Sequence, residues 1–179
     1  MEQPVKIQYY KSPFGELIIG SYNEQICLCD WRYRKSRAAI DSRIQKSLKT
    51  EYSEENSVAV QMAVHQLEEY FDRKRTQFDI PLLLIGTEFQ KSVWDKLLQI
   101  PYGTTETYLE LSKRINNVNA IRAVAAANGA NAISIFIPCH RIIGSDRKLV
   151  GYAGGLQAKK KLLELESHLQ TPQLDFDFE

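Results

Sequence analysis

The chain has 179 residues, enough for one ordinary domain or two small ones, and its 44% apolar and 25% charged content excludes a disordered or fibrous protein. No apolar stretch approaches the ~18 residues that span a bilayer, and the N-terminus lacks the apolar run of a secretory signal, so a cytoplasmic protein without membrane contact is expected. Three cysteines without paired spacing argue for thiol chemistry rather than a disulfide framework, and a net charge of +1, from 23 basic and 22 acidic residues, gives at face value no sign of a polyanionic partner.

The first third is β-rich. Residues 5–10 (VKIQYY), 16–22 (ELIIGSY) and 26–32 (ICLCDWR) are β-branched and aromatic runs separated by turn-forming SPFG and NEQ, which predicts an antiparallel meander. Over 36–50, Ile40, Ile44 and Leu48 recur every four positions and predict a helix, and the polar EYSEENS after it reads as a loop. Over 57–73, Val60, Val64, Leu67 and Phe71 mark one face of a second helix. In FDIPLLL the apolar residues alternate at Phe78, Ile80, Leu82 and Leu84, but Pro81 lacks a ladder donor and confines that strand to an edge. Gly86 is the expected boundary of an N-terminal domain over 1–86.

From Thr87 the chain turns helical. Thr87 and Gln90 form a capping box, in which a hydroxyl and a side-chain amide satisfy reciprocal orphan donors, followed by Phe89, Val93, Leu97 and Ile100 on one face. Pro101-Tyr102-Gly103 ends that helix. A second box, Thr107 and Glu110, opens a short helix with Leu111 and Ile115 inward. Asn119 is placed to cap a third, over 120–128, with Gly129 as its C′ residue. Two short helices joined by about four residues make a helix-turn-helix. ISIFI (133–137) then reads as a strand, RIIG and LVGY as a hairpin around residues 144–147, and Gly154-Gly155 as the entry to a last helix bearing Leu156, Leu163 and the lysine cluster 159–161. The expected second domain covers 87–167, and 168–179 is an acidic tail.

Cysteine is the strongest nucleophile present. Cys27 and Cys29 sit two apart in a strand pattern and read as buried structural thiols. Cys139 follows Pro138 and precedes His140 and Arg141, so it has beside it the positive potential and the proton acceptor that lower a thiol pKa from about 8.5. A lone cysteine after an apolar run is also ordinary core, and neighbours in an extended chain point apart; the residues alone leave both readings open. There is no C-x-x-C, no paired-histidine spacing among His65, His140 and His168, and no glycine-rich phosphate loop, so neither a metal nor a cofactor is expected. The third helix carries a single charge, Arg122, among Ala120, Ala123 and Ala125. It is a plain alanine helix with a solvated arginine, or a slim helix that enters a groove and inserts a planar guanidinium.

IPCHRIIG followed by GYAGG resembles the O6-alkylguanine-DNA alkyltransferase family. The resemblance runs over 89–166 and includes F-x-x-x-V-W, P-Y-G-x-T, the T-Y pair and the asparagine eight residues before Cys139; residues 1–86 match more loosely through S-P-x-G-x-L. It implies an α+β fold, a ribonuclease-H-like N-terminal domain of meander and helix followed by a winged helix-turn-helix active domain. It implies direct-reversal repair in which Cys139 takes the alkyl group irreversibly from O6 of guanine, or from O4 of thymine, in a flipped-out base. His140 would activate Cys139 through a water and be oriented by Glu166, and Tyr108 would give its proton to the leaving base. Arg122 would fill the vacated stack from the minor groove, with Ala120, Ala123 and Ala125 permitting close approach. Asn131 and Arg141 would shape the active-site turn; Ile142 would offer a carbonyl to the guanine amino group; Tyr152 and Ala153 would cover the base, the Ala153 N–H donating to O6. The implied partner is double-stranded DNA carrying O6-alkylguanine, met by a monomer. Some relatives carry serine where Ala153 stands, and the N-terminal zinc ligands of others are absent here.

Two other classes fit parts of the sequence. A lesion-binding marker or regulator on the same scaffold would lack the cysteine, and a cysteine hydrolase pairing Cys139 with His65 or His168 would leave Arg122 and its alanine helix without a purpose. Charge by segment favours the DNA reading. Residues 1–86 hold 12 basic and 12 acidic side chains, net 0; residues 87–167 hold 11 and 7, net +4; the tail holds none and 3, net −3. A basic helical domain is masked by a neutral one and an acidic tail.

Overall fold

The computed structural model describes residues 3–167, so the acidic tail and His168 lie outside the described residues. The chain divides between Gly86 and Thr87 into two compact units.

In the first unit β1 (Val5–Ser12), β2 (Gly15–Tyr22) and β3 (Gln25–Trp31) form the antiparallel meander. Its turns follow from local chemistry. Asn23 and Glu24 both adopt positive φ, 48° and 57°, matching the twist of a two-residue hairpin. Gly15, at φ 147°, sits where a Cβ would lie 2.9 Å from the Trp31 ring. α1 (Arg37–Leu48) buries Ile40 and Ile44, with Lys49 closing it in a left-handed C-cap. EYSEENS differs from the expected loop: Tyr52 and Ser53 form β4, parallel to Val5 and Lys6, giving the sheet order β3-β2-β1-β4. A two-residue strand made by distant pairing leaves no periodic trace in the sequence.

α2 (Val58–Phe71) packs across the sheet and is capped by Ser57, whose hydroxyl accepts from the Val60 N–H at 3.0 Å. Its buried face is Val60, Ala63, Leu67 and Tyr70, rotated slightly from the expected one, with Val64 and Phe71 at the margin. Each large side chain buried here and in the sheet, such as Leu17, Ile19, Ile26, Leu28 and Leu67, contributes roughly 1.5–3 kcal/mol. FDIPLLL runs beside β3 but touches it at one bridge, Ile26 to Leu82, with the Ile26 N–H donating to Pro81 O and the Leu83 N–H to Ile26 O. The prolyl nitrogen cannot extend the ladder, so no full strand forms.

The second unit holds α3 (Glu88–Leu97), β5 (Glu106–Thr107), α4 (Tyr108–Arg114), α5 (Ile121–Gly129), β6 (Ile142–Ile143) and α6 (Leu156–Ser167). Both capping boxes form, at Thr87/Gln90 and Thr107/Glu110. α4 and α5 are the helix-turn-helix pair, and α3 packs on both, with the Trp94 indole N–H donating to Ala127 O at 2.8 Å. Between α4 and α5 a 3-10 turn, Val118–Ala120, replaces the cap expected from Asn119. Gly129 is the last residue of α5 rather than a left-handed C′ residue, and Ala130 continues in the right-handed region. After the site, β6 pairs in parallel with β5, while residues 144–147 close as a tight turn through Gly144 N–H to Lys148 O at 2.9 Å. Leu149 leaves that turn into a small core with Ile143, Leu156 and Leu163.

Candidate active site

Residues 133–137 do not form the expected strand. They make a buried double turn, with φ 74° at Ile135 and the Phe136 N–H bonded back to Ser134 O at 2.9 Å. That is a γ-turn of the rarer, strained kind, and a β-branched residue at positive φ persists only where the surroundings over-determine it. Asn131 provides the clamp: its Nδ2 donates to Ile137 O at 3.0 Å and its Oδ1 accepts the Ile133 N–H at 2.9 Å, all inside the protein. Pro138 then turns the chain (φ −80°, ψ 61°), with the Cys139 N–H donating to Ile137 O at 2.8 Å.

Cys139–Arg141 is one turn of 3-10 helix, not extended chain, which removes the geometric objection to adjacent residues serving one centre. Cys139 is 4% exposed, and none of the three cysteines is in a disulfide. His140 is fully buried and its Nε2 lies 2.7 Å from Glu166 Oε1 on α6. Arg141 grips the same carboxylate through Nε and Nη2, each at 2.9 Å, and donates from Nη1 to Ile100 O at 2.6 Å. Gly103, at φ 77°, lets the P-Y-G turn approach α6 closely: its N–H points to Glu166 Oε2 at 3.5 Å, and a Cβ there would meet Glu166 O at 3.2 Å.

These contacts fix the charges. Burial alone would raise the Glu166 pKa, but the His140 and Arg141 donors hold it far below the usual carboxylate range. The carboxylate is therefore ionised and acceptor-only, so His140 Nε2 carries the proton and Nδ1 is left as a basic lone pair. Burial also lowers the His140 pKa against the pull of Glu166, which keeps the imidazole neutral and able to accept a proton. Nδ1 has no hydrogen-bond partner among the described residues.

Tyr108, the first residue of α4, donates its hydroxyl to Val150 O at 3.3 Å, and burial and the nearby Cys139 raise its pKa. Tyr152 sets its ring edge-on to His140 at 6.4 Å between centroids; Ala153 beside it is half-buried, and Ile142 is fully buried in β6. Arg122 lies on the exposed face of α5 and forms no ion pair among the described residues. Of its expected small neighbours Ala123 is exposed, whereas Ala120 and Ala125 are half-buried. Ala126 and Gly129, at i+4 and i+7 from Arg122, are exposed below it instead.

Lys159 is the group the sequence reading missed. In a run of three lysines it reads as solvated, yet it is fully buried, donating from Nζ to Val150 O at 3.0 Å and Gly151 O at 3.2 Å. Burial lowers its pKa to about 8, with the Cys139 sulfur pulling the other way. The signal was its spacing: Leu156, Lys159, Leu162 or Leu163, and Glu166 fall on one helical stripe. His65 is remote from this chemistry in kind, an exposed residue of α2 paired with Glu69 at 2.6 Å.

A buried thiol followed by a carboxylate-held imidazole, in the same unit as a helix-turn-helix, defines a nucleophilic-cysteine protein on a DNA-binding scaffold. The chain matches the family description "6-O-methylguanine DNA methyltransferase, DNA binding domain" over residues 88–168 and "6-O-methylguanine DNA methyltransferase, ribonuclease-like domain" over 5–84. It is 53% identical over 158 residues to a methylated-DNA–protein-cysteine methyltransferase of Methanosarcina barkeri, covering 88% of this chain and 94% of that one. A protein of the same name from Haemophilus influenzae is 43% identical over 168 residues, covering 93% and 87%. The crystal structure of Mycobacterium tuberculosis OGT in complex with DNA superposes with a TM-score of 0.80 at 39% identity, covering 91% of this chain and 93% of that one. The chain belongs to the 6-O-methylguanine DNA methyltransferase family.

Proposed function

We propose that this protein repairs alkylated DNA by direct reversal, moving the alkyl group from O6 of a flipped-out guanine to Cys139 in a single irreversible turnover. The observation that carries this reading is the buried cluster of His140, Glu166 and Arg141 in register with Cys139. Glu166 fixes the imidazole tautomer, and Nδ1 takes the thiol proton through a bridging water. Lys159, a buried ammonium beside the sulfur, and the Arg141 guanidinium favour the thiolate. The sulfur attacks the alkyl carbon in line as the C–O6 bond breaks, and Tyr108 gives its proton to the departing purine so that it does not leave as an anion. The thioether product is stable, so each molecule acts once. Nothing in this sequence of steps calls on a metal or cofactor.

The target is double-stranded DNA with O6-alkylguanine. Arg122, exposed and without a counter-ion among the described residues, fills the space left by the flipped base. Arg122→Ala is expected to slow transfer from a duplex oligonucleotide by about tenfold or more, the unstacking cost being a few kcal/mol, while leaving the reaction with free O6-alkylguanine base nearly unchanged. Equal losses on both substrates, measured as single-turnover rates, would overturn the flipping role. Among the described residues no helix is long and apolar enough to cross a membrane; the protein works as a cytoplasmic monomer.

Ala153 lacks the hydroxyl and bulk of serine at the mouth of the pocket, so larger adducts and O4-alkylthymine are accepted more readily. Ala153→Ser is expected to slow transfer of bulky groups and from O4-methylthymine by a few-fold, with O6-methylguanine little affected, as relative single-turnover rates will show. Equal rates for both proteins on every adduct would end this reading.

A further inference from the structure

Asn128, near the end of α5, is 6% exposed, yet its Oδ1 has no hydrogen-bond partner among the described residues. An unsatisfied buried carbonyl costs about 1–3 kcal/mol, and leucine, close to asparagine in shape, would remove that cost. The other end of the same carboxamide meets the Tyr108 side chain across the packed α4/α5 pair. Tyr108 directs its O–H at Val150 O, so what its oxygen presents to Asn128 is a lone pair, which Nδ2–H can satisfy and Oδ1 cannot. One end of the amide serves the phenol, and the other is left buried and unpaired.

We propose that Asn128 is a positioning residue for the proton transfer. Its Nδ2–H bonds the Tyr108 oxygen, leaves the hydroxyl proton free to turn from Val150 O to the departing purine, and holds the tyrosinate that forms. The proposal rests on Tyr108 acting as the acid. In that step the phenolic O–H bond breaks, an N–H bond forms on the departing purine, and the bonding pair stays on the phenol oxygen. Sulfur gains the alkyl carbon as the C–O6 pair leaves with the base. The tyrosinate then recovers a proton from solvent, and His140 releases the one it took from Cys139. The groups facing the phenol are Cys139 from the 3-10 turn, Asn128 from α5, and Val150 O, which also accepts from the Lys159 ammonium on α6. Burial and Cys139 make the phenol a weaker acid, and Asn128 acts in the opposite direction.

The test is a set of single-turnover rates on an O6-methylguanine duplex, followed through the alkaline limb, for wild type, Asn128→Leu, Tyr108→Phe and the double variant. Asn128→Leu is expected to keep the wild-type DNA affinity and a melting temperature no lower than wild type, to react about tenfold more slowly, and to shift the alkaline limb upward. In the Tyr108→Phe background it should cost nothing more. Asn128→Asp, of the same size but without the donor, should also be slow and shifted upward, and serves if the leucine variant fails to fold. A slow Tyr108→Phe protein with a full-rate Asn128→Leu protein, additive losses in the double variant, or a downward shift of the limb would each overturn the role of Asn128. Tyr108→Phe at the wild-type rate would overturn the acid role itself, and this proposal with it.

Discussion

Glu166→Gln is expected to slow alkyl transfer at least a hundredfold and to destabilise the active unit by about 3–5 kcal/mol, a combined loss that follows from one carboxylate serving two buried partners. Glu166 is 1% exposed and accepts from His140 and twice from Arg141, which is itself 6% exposed. Glutamine keeps the shape but removes the charge that balances the guanidinium, and its NH₂ group must face one of two donors. The imidazole then loses the acceptor that fixes its Nε2–H tautomer, so Nδ1 is no longer held as the base. The pH dependence has a definite sign. The folded-state pKa values of Glu166 and His140 are both depressed, so the unfolded chain binds more protons as pH falls. Wild-type stability is fully present above the unfolded histidine value of about 6.5, and is lost in acid as pH falls below that value and then below about 4.3. Glu166→Gln removes the second part of that loss. Thermal melts at neutral and acidic pH, beside single-turnover rates, measure both effects; a variant with wild-type stability and rate would refute the role given to this cluster.

Cys139→Ala is expected to abolish transfer completely while leaving the fold and DNA binding intact. The thiol is small and 4% exposed, and the turn that carries it is held by backbone bonds and by Asn131, none of which the substitution touches. A residual activity of even a few per cent would mean that another group accepts the alkyl carbon. Neither Cys27 nor Cys29 is suited to that, since burial pushes the first thiol pKa up to about 12 and the second higher still. The pair of measurements is transfer by the variant, followed with labelled alkyl-DNA, and its affinity for the same duplex.

Features written within a few residues of each other were legible in the sequence. The capping boxes at Thr87 and Thr107 and the turn at Asn23-Glu24 are local chemistry, and the structure forms each of them. What depended on distant partners was not legible. β4 exists because Tyr52 and Ser53 meet β1, and β6 pairs with β5 across 36 positions of chain, from Glu106 to Ile142. ISIFI carries the composition of a strand, yet Asn131 bends it into the turn that presents Cys139. Lys159 and Asn128 are polar residues on buried stripes, where burial is set by what the rest of the fold places around them. The balanced charge of the whole chain was the least informative quantity, because the net +4 of residues 87–167 appears only when the segments are counted apart.

Cys139 is expected to end the reaction carrying the alkyl group. Intact-protein mass spectrometry after exposure to a duplex containing O6-methylguanine, followed by peptide mapping, tests it directly. The expected mass is that of one added methyl group, located on Cys139 and stable over time, with none added to Cys139→Ala. An unchanged mass with retained DNA binding, or a methyl group on any other residue, would contradict it.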